Sequence, residues 1–337
     1  MSSDLTPVRW GFLSTSSFAA QKFIPGARLA SNVEIAAVAS RTVPLAREYA
    51  NENDIPVAYG SYEDLLADTS IDVIYNPLPN NLHVEWTLRA AEAGKHVLCE
   101  KPMALNASEL ERLRPVVDRV HVAEAFMVRL HPQWLEVRER VRSGELGELT
   151  HAHMAFAYTN TDASNIRNIA SVGGGALYDI GCYCVAAARW FFDAEVERAL
   201  ALFDRDPDFA TDRRTTGLLD LGAGRHVAFS CATQSVPHQR VHLYGTKGRI
   251  EITSPFNQPE EEPCVYFTHD GASLHGIDQL RHEVPTANQY TLEAEWFSDL
   301  ACNQRPNGLL LDQAVQQARV LDALFRSESS GRLEPCV

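Results

Sequence analysis

The sequence lacks several features that would assign it at once to a class of protein. Its 337 residues contain no run of about 18 apolar residues, so no transmembrane helix is expected. The zinc-protease pattern HExxH, the hydrolase pattern GxSxG and the P-loop pattern GxxxxGK[ST] are all absent. The first residues do not show a basic segment followed by an apolar one, which predicts no signal peptide and a cytoplasmic protein.

Basic residues are also scarce. Thirty Lys and Arg residues stand against 44 Asp and Glu residues, which gives a formal net charge of −14. Such a chain repels a phosphate backbone on average, so nucleic acid is not an expected partner. The length of the chain suggests about two domains.

The cysteines do not form a recognisable framework. There are seven, an odd number at irregular spacing: Cys99, Cys182, Cys184, Cys231, Cys264, Cys302 and Cys336. This pattern predicts reduced thiols, most of them buried, rather than disulfides. Cys182 and Cys184 are followed by no second ligand pair, so no metal site is expected.

The first 125 residues alternate short β-branched runs with helical stretches. Strands are predicted near 8–14, 33–39, 71–76, 96–99 and 120–125, with helices near 18–29, 43–53, 82–93 and 108–118. Strands that alternate with helices indicate a parallel sheet covered on both faces. Right-handed crossovers make this a doubly wound α/β sheet of the Rossmann type, and we predict that residues 1–125 form a dinucleotide-binding domain.

The rhythm changes after Phe126. A helix is predicted at 133–142, a long strand at 149–158, and further strands at 196–203, 214–221, 225–233 and 239–244. The segment 245–252 is predicted as a glycine turn that enters a strand, and helices are predicted at 288–302 and 311–326. Consecutive strands predict a second, α+β domain at 126–337 with a large open and mostly antiparallel sheet. An uncovered apolar face on that sheet would favour a homodimer or homotetramer.

The first strand and helix frame the segment Gly11–Ala19, where a dinucleotide-binding turn would place G-x-G-x-x-G/A. Ser14 and Ser16 stand in place of the first two glycines, and Ala19 takes the third place. Small residues leave room for a pyrophosphate at the helix N-terminus, and serine hydroxyls can donate to it. The turn fits nucleotide binding, and it fits a plain strand-to-helix loop equally well.

The second strand ends at Ser40 and Arg41 without an acidic residue. An Asp or Glu here would bind the 2′-hydroxyl of NAD, whereas a guanidinium suits a 2′-phosphate. We therefore predict NADP(H) as the cofactor, with an exposed surface arginine as the alternative interpretation.

Four further segments resemble the glucose–fructose oxidoreductase and inositol dehydrogenase family, called Gfo/Idh/MocA. They are PLPNNLH at 77–83, AGKHVLCEKP at 93–102, GGGALYDIGCY at 173–183 and GTKGRIEI at 245–252. The resemblance extends from Val8 to about Phe325. It implies an NAD(P)-dependent oxidoreductase of sugars, cyclic polyols or related carbonyl compounds, with a Rossmann domain followed by an open-sheet domain.

The resemblance also implies roles for single residues. Lys101 matches the catalytic lysine of the family, and similar proteins often have a cis peptide bond between this lysine and the following proline. Asp179 and Tyr183 lie four residues apart, so they share one face of a helix. We expect Lys101 and Tyr183 to relay a proton to the substrate oxygen while Asp179 orients a substrate hydroxyl or Lys101. The three glycines before them predict a flexible start to this helix.

The candidate site residues follow from the turn and the resemblance. The cofactor-binding candidates are Gly11, Ser14, Thr15, Ser16, Phe18, Ser40, Arg41, Pro77, Leu78, Asn80, His83, Glu100 and Lys101. The substrate-binding candidates are Arg129, Tyr158, Asn160, Arg167, Asp179 and Tyr183, and the neighbouring polar residues His131, Asn165 and Asn168 belong to the same segments. The polar loop at 159–171 suits sugar hydroxyls, and it suits a solvated turn equally well.

Two alternative functions stay open at this level. Some members of the family are non-catalytic regulators that bind NAD(P) as a signal. Others are ketoreductases of nucleotide-linked sugars, for which His238 and Arg240 are the only additional basic candidates.

Overall fold

A computed structural model describes residues 6–337. Contacts divide the chain into two compact units. Of the described residues, the first contains 6–127 together with Asn288–Val315, and the second contains Val128–Ala287 together with Gln316–Val337. The first unit therefore includes a segment from the C-terminal part of the sequence. The assignment of cofactor binding to 1–125 and of substrate binding to 126–337 stays a prediction.

The first unit is built on a six-stranded parallel sheet. Its strands are β1 (Val8–Leu13), β2 (Val33–Ala39), β3 (Val57–Tyr59), β4 (Val73–Asn76), β5 (His96–Glu100) and β6 (Val122–Ala125). Their order is β3-β2-β1-β4-β5-β6. This is the doubly wound order that the alternation of strands and helices predicts.

Five helices of this unit follow its strands: α1 (Ile24–Ala27), α2 (Val43–Glu52), α3 (Tyr62–Ala67), α4 (His83–Glu92) and α5 (Ala107–Leu110). The sequence did not predict β3 or α3, because an edge strand of three residues leaves almost no periodic pattern. The helix predicted at 108–118 is shorter than expected. It consists of the single turn α5 and a 3₁₀ turn at Glu111–Leu113.

The second unit contains a nine-stranded sheet. Its strands are β7 (Leu149–Thr159), β8 (Arg198–Arg205), β9 (Asp212–Asp220), β10 (His226–Ala232), β11 (Gln234–Gly245), β12 (Arg249–Ile252), β13 (Cys264–His269), β14 (Leu280–Val284) and β15 (Glu334–Pro335). The order is β14-β13-β12-β11-β7-β10-β9-β8-β15. Neighbours are antiparallel except for β7 and β10, so the sheet is mostly antiparallel as predicted.

Four more helices complete the chain. These are α6 (Pro132–Arg142), α7 (Cys182–Phe192), α8 (Gln289–Asn303) and α9 (Leu309–Ser330). Two π-helical turns precede α1 and α7, at Ala19–Phe23 and Leu177–Gly181. Short 3₁₀ turns lie at Asn80–Leu82, Met127–Leu130, Ile166–Asn168 and Ala170–Val172.

Aromatic residues fill the core of the first unit. Phe23 stacks on Tyr75 with ring centroids 3.9 Å apart. The indole N–H of Trp10 donates to the hydroxyl of Ser298 in α8 at 3.0 Å. Helix α8 approaches α1 so closely that a Cβ at Gly26 would lie 2.6 Å from the Cβ of Tyr290. This explains why α8 belongs with the first unit.

Strand β7 shows why one face of the second sheet is buried. Its apolar residues Ala152, Met154 and Phe156 alternate with the exposed residues His151 and His153. The buried face is covered by α7, which is apolar around most of its circumference. The other face carries polar side chains along the central strands.

Candidate functional site

The turn after β1 has the backbone of a glycine turn although it carries serines. Ser14 has a φ of 69°, in the left-handed region that usually requires glycine. The Ser16 hydroxyl accepts a hydrogen bond from the N–H of Ala19 at 3.2 Å, and the Tyr49 hydroxyl donates to the Ser16 carbonyl at 2.8 Å. The hydroxyl proton of Ser16 stays able to donate to a phosphate at the start of the helical segment.

The other cofactor candidates of the same segment lie in three different environments. Gly11 lies inside β1, where a Cβ would be 2.9 Å from the Cδ1 of Leu65, so the missing side chain lets α3 approach the sheet. Gly11 therefore has a packing role, and its cofactor contact stays a prediction. Thr15 is exposed at the turn, and Phe18 contacts the ring of Tyr290 edge to face at 5.9 Å.

The end of β2 places a cation near an aromatic hydroxyl. Ser40 is buried, and its N–H donates to the Tyr59 carbonyl at 3.1 Å. Arg41 is exposed. Burial raises the pKa of Tyr62, and the positive charge of Arg41 opposes this rise. This edge of the sheet therefore carries positive charge where a dinucleotide's ribose would lie.

His83 braces two loops at the carboxyl edge of the sheet. Its Nδ1 lies 2.8 Å from the Pro102 carbonyl oxygen and its Nε2 lies 2.6 Å from the Leu78 carbonyl oxygen. Burial lowers its pKa to about 4, against the opposing effect of the two carbonyls. Both ring nitrogens thus have backbone partners, so His83 holds these two loops together, and its cofactor contact stays a prediction.

Pro77 and Leu78 lie in the loop that follows β4, and Asn80 begins the 3₁₀ turn after it. Leu78 is buried, whereas Pro77 and Asn80 are partly exposed at this edge. The loop is tied down by the Asn76 side chain, whose oxygen accepts from the Leu78 N–H at 3.3 Å.

Lys101 follows the last residue of β5, and its peptide bond to Pro102 is cis, as the resemblance predicts. The preceding Glu100 accepts a hydrogen bond from the Tyr75 hydroxyl at 2.5 Å. The charge of Glu293 in α8 also helps to raise the pKa of Tyr75, after burial and Glu100. Tyr75 and Glu293 were not predicted, because no local pattern links residues so far apart in sequence.

In the second unit, Asp179 is held by two of the predicted substrate residues. The Tyr158 hydroxyl donates to Asp179 Oδ2 at 2.5 Å, and Arg167 Nε lies 3.0 Å from Asp179 Oδ1. Burial and then the charge of Asp179 raise the pKa of Tyr158, so Tyr158 stays a donor. The Asp179 carboxylate is therefore fixed in place and can accept a further hydrogen bond from a ligand hydroxyl.

Three glycines, Gly173 to Gly175, form a tight turn before this helical segment. Gly175 has a φ of 125°, and a Cβ there would lie 2.0 Å from Asp212 Oδ1. A Cβ at Gly174 would lie 2.6 Å from the Arg167 carbonyl oxygen. Close contacts therefore require glycine at positions 174 and 175, whereas the expected flexibility of this start stays a prediction.

Tyr183 lies on α7 one turn after Asp179 and is buried, with 6% of its surface exposed. Its ring meets Phe156 edge to face at 5.7 Å and Phe256 at 5.8 Å. The wider helical turn at Leu177–Gly181 keeps Asp179 and Tyr183 near one face, and such turns are frequent at functional sites.

The amides of the polar loop bond mostly to the loop itself. The Asn168 side chain donates to Asn160 Oδ1 at 3.2 Å and to the Asp162 carbonyl at 2.9 Å. Asn165 Oδ1 accepts from the Arg167 N–H at 3.1 Å. Asn160 therefore shapes the loop that presents Arg167, which favours the interpretation as a structured turn for the amides.

Arg129 and His131 precede α6. Arg129 is partly exposed on the 3₁₀ turn Met127–Leu130. His131 is buried, and its Nδ1 accepts from the Gln133 N–H at 3.1 Å, so it caps α6. Burial lowers its pKa to about 4. His131 thus has an internal role at the start of α6, and its place beside the substrate candidates stays a prediction.

His238 and Arg240 lie on the opposite face of the sheet from Tyr158. They pair with Ala157 and Ala155 of β7, and successive side chains of a strand point to opposite faces. Arg240 also contacts Glu251 at 3.3 Å. These two residues therefore do not contribute to a site that contains Tyr158 and Asp179.

The seven cysteines are all unbonded, and five of them are buried, whereas Cys302 is exposed and Cys336 is partly exposed. Among residues 6–337, no cluster of three or more possible metal ligands is found. Within the same range, no helix has the length and apolar character needed to cross a membrane.

Comparisons with known proteins agree with this architecture. A family profile described as "Oxidoreductase family, NAD-binding Rossmann fold" matches residues 8–128, and one described as "GFO/IDH/MocA C-terminal domain" matches residues 134–251. An uncharacterized oxidoreductase, ORF334 of Rhizobium meliloti, is 42% identical over 97% of this chain and 98% of its own. D-xylose 1-dehydrogenase (NADP⁺) 2 of Haloferax volcanii is 35% identical over 96% and 98%.

Solved structures show the same similarity. The 3-ketoreductase KijD10 from Actinomadura kijaniata, in complex with NADP and TDP-benzene, superimposes with a TM-score of 0.88 at 27% identity. The match covers 96% of this chain and 98% of that one. The chain is therefore an oxidoreductase of the GFO/IDH/MocA family, with an NAD(P)-binding Rossmann domain at its N-terminal end.

Proposed function

We propose that this oxidoreductase uses NADP(H) to transfer a hydride between nicotinamide and a sugar, a cyclic polyol or a related carbonyl compound. The observation that carries the proposal is the set of polar side chains at the carboxyl ends of β1, β2, β4 and β5, where doubly wound sheets bind dinucleotides. The xylose dehydrogenase named above is NADP⁺-dependent, and the KijD10 structure contains NADP, which supports the choice of cofactor.

The residues of the first unit fit a dinucleotide with a 2′-phosphate. The left-handed backbone at Ser14 and the helical segment that follows give the turn the shape and the positive potential that a pyrophosphate requires. Arg41 supplies a guanidinium at the end of β2, and no acidic side chain occupies positions 40–42. Glu100 and Lys101 would lie at the nicotinamide end, since they close β5.

In the proposal, Lys101 and Tyr183 form the proton relay to the substrate oxygen. When bound, the nicotinamide supplies or accepts the hydride. The ammonium of Lys101 stabilises a developing alkoxide, and the phenol of Tyr183 donates or accepts the proton. Asp179, held by Tyr158 and Arg167, acts as a fixed acceptor for a substrate hydroxyl.

The similarity to KijD10, a 3-ketoreductase whose structure contains TDP-benzene, supports the alternative function of a ketoreductase that acts on a nucleotide-linked sugar. His238 and Arg240 do not favour this class, because they lie on the sheet face opposite Tyr158. A non-catalytic regulator is disfavoured, since the named relatives are dehydrogenases and reductases.

The first experiment follows the absorbance of reduced nicotinamide with a panel of aldoses, cyclic polyols and nucleotide-linked ketosugars. We expect NADP⁺-dependent turnover by the wild type and a fall in kcat of about 100-fold or more in Lys101→Ala and Tyr183→Phe. The matched control is Tyr244→Phe, which should keep full turnover. The ring of Tyr244 stacks on that of His151, with the ring centroids 4.5 Å apart. Cofactor binding without turnover of any compound would contradict the proposal.

The cofactor preference is tested by calorimetry with NADPH and NADH. We expect Arg41→Ala to weaken NADPH binding by about ten- to 100-fold, because a charge-assisted hydrogen bond is lost, and to leave NADH binding unchanged. Arg112→Ala, a change at another exposed arginine of the first unit, is the control. Tighter binding of NADH than of NADPH by the wild type would defeat the assignment.

The expected homodimer or homotetramer belongs to the same proposal. Two leucines on the sheet of the second unit are exposed: 75% of the surface of Leu202 and 49% of that of Leu218 is accessible to solvent. Exposed apolar side chains on a sheet face favour association with another copy of the chain. Light scattering on the purified protein tests this, and a monomer at all concentrations would oppose it.

A further inference from the structure

Asp212 is a buried carboxylate that the candidate mechanism does not use. It begins β9 and is 1% exposed. Its Oδ2 accepts hydrogen bonds from the Leu177 N–H and from the Thr215 hydroxyl, both at 2.7 Å. Its Oδ1 lies against the backbone of Gly175. A carboxylate buried in this way is costly unless its hydrogen bonds are satisfied, so its placement at this turn needs an explanation.

Leu177 begins the helical segment that carries Asp179 and continues into α7 with Tyr183. The first N–H groups of a helix have no partner within the helix, and Asp212 satisfies one of them. The hydrogen bond therefore fixes the start of the segment at a point two residues before Asp179.

The same turn is tied to the second partner of Asp179. The Gly175 N–H donates to the Arg167 carbonyl at 2.9 Å, and the Asp179 N–H donates to the Gly175 carbonyl at 3.0 Å. The Arg167 side chain then reaches Asp179 Oδ1. The carboxylate of Asp212 thus contacts Gly175, and the backbone of Gly175 is hydrogen-bonded to both Arg167 and Asp179.

We propose that Asp212 is a positioning residue for catalysis: it anchors the Gly173–Leu177 turn and thereby sets the positions of Asp179, Arg167 and Tyr183. The inference rests on the proposed function only for the roles of Asp179 and Tyr183. The anchoring itself is a property of the second unit. Asp212 does not touch substrate or cofactor in this proposal, and its effect passes through the backbone of Leu177 and Gly175.

A matched comparison exists within the same strand. Asp220 ends β9 and accepts hydrogen bonds from the Gly222 N–H at 3.0 Å and from Arg198. Asp220 therefore has the same residue type as Asp212, lies on the same strand and also accepts a hydrogen bond from a backbone N–H. The turn that it contacts, however, is the one between β9 and β10. Asp220→Ala reports what the loss of such a carboxylate does without any effect on the turn before Asp179.

The experiment measures steady-state kinetics and amide hydrogen exchange for Asp212→Ala, Asp212→Asn and Asp220→Ala in the full chain. We expect kcat of Asp212→Ala to fall by about tenfold or more with KM changed by less than about threefold, since small displacements of catalytic groups reduce turnover strongly. Asp212→Asn keeps an oxygen acceptor for Leu177 and should retain at least about a third of kcat. Asp220→Ala should behave like the wild type.

Hydrogen exchange gives a readout that does not depend on activity. Peptides covering 173–183 should lose protection in Asp212→Ala and keep it in Asp212→Asn, Asp220→Ala and Tyr183→Phe. Unchanged protection in Asp212→Ala would overturn the anchoring. Lost protection with kcat within about threefold of the wild type would overturn the positioning role.

Two outcomes separate this inference from the proposed function. If Tyr183→Phe is inactive but its 173–183 peptides keep their protection from exchange, the result supports the proposed function alone. If Tyr183→Phe keeps full turnover, the proposed function is contradicted, and the exchange result for Asp212→Ala is not affected. If Asp212→Ala does not fold, Asp212→Asn still decides the matter. A kcat below about a tenth of the wild type in Asp212→Asn, with protection retained, would show that the anchor is not what matters.

Discussion

Two turns begin the helical segments that carry the candidate chemistry, one in each unit, and both lead into a π-helical turn. The turn after β1 carries Ser14 and Ser16 in place of glycines, whereas the turn before Leu177 has three glycines in succession. Ser14 adopts a φ of 69°, a conformation that costs a serine about 1–2 kcal/mol but leaves space for its side chain. Gly175 adopts a φ of 125° against a buried carboxylate.

The difference shows that a glycine can be required for two separate reasons. A left-handed φ alone is tolerated by a small residue, and the first turn keeps its shape with serine. A backbone that is also in close contact with other groups excludes any Cβ. The second turn meets both conditions, since Gly174 faces the Arg167 carbonyl and Gly175 faces Asp212.

The largest expected effect comes from breaking the second turn. Gly175→Ala should lower the free energy of unfolding by about 4 kcal/mol or more, because a strained φ and an overlap with Asp212 add together. Gly224→Ala is the control, since Gly224 has a φ of 75° with no atom within 4 Å of its Cβ position. It should lose about 1–2 kcal/mol. Urea unfolding of both variants measures the difference, and equal losses would refute the role of close contact.

A second prediction concerns the charge at this turn. Burial raises the pKa of Asp212 to about 6 from 3.8, while Thr215, Leu177 and Arg205 oppose the rise. The folded state therefore disfavours the ionised form. The contribution of Asp212 to the free energy of unfolding is largest below about pH 4, falls as the pH rises towards 6, and is then constant, with a total change of about 3 kcal/mol.

Asp212→Asn isolates this effect, because the amide does not titrate. The difference in unfolding free energy between wild type and Asp212→Asn should shift by about 2 kcal/mol against the wild type between pH 4 and pH 7, since part of the total change occurs below pH 4. Chemical unfolding at a series of pH values measures it. A difference that does not vary with pH would show that Asp212 titrates at its ordinary value.

The smallest effect is expected from restoring a glycine to the first turn. Ser14→Gly should raise the free energy of unfolding by about 0.5–1 kcal/mol, because relief of the left-handed conformation exceeds the extra entropy of glycine in the unfolded chain. Ser16→Ala, which removes the hydrogen bond from the Ala19 N–H, should lower it by about 1 kcal/mol. A loss of stability in Ser14→Gly would mean that the serine side chain has contacts that outweigh the strain.

Most elements of both units could be predicted from local pattern. The alternation of strands and helices up to residue 125 gave the parallel sheet, and the run of strands after it gave the mostly antiparallel one. The strands β3, β13 and β14 were not predicted, and the predicted 108–118 helix is largely replaced by turns. Strand β3 has too few residues for a period to appear, and β13 and β14 are stabilised by pairing with neighbours in the sheet, which a local pattern does not reveal.

The site residues divide in the same way. Lys101, Asp179 and Tyr183 were predicted from segments contiguous in sequence, and Tyr158 and Arg167 from the polar stretch before the glycines. For His83, His131 and Gly11 the structure shows internal contacts that the sequence did not indicate, and their roles at the site stay predictions. A histidine or glycine in a motif does not reveal whether a backbone carbonyl or a side chain from elsewhere occupies the space beside it.

By itself the sequence determined the order of secondary structure, the family and the positions of the lysine, carboxylate and phenol. These depend on local sterics, hydrophobic period and contiguous motifs. Only the tertiary structure decided that Asp179 is held by Tyr158 and Arg167 and that Asp212 is buried against the turn at Gly173–Gly175. It also decided that Arg240 lies on the sheet face opposite Tyr158. Burial and hydrogen-bond partners depend on which distant segments meet, and side-chain chemistry changes with that environment.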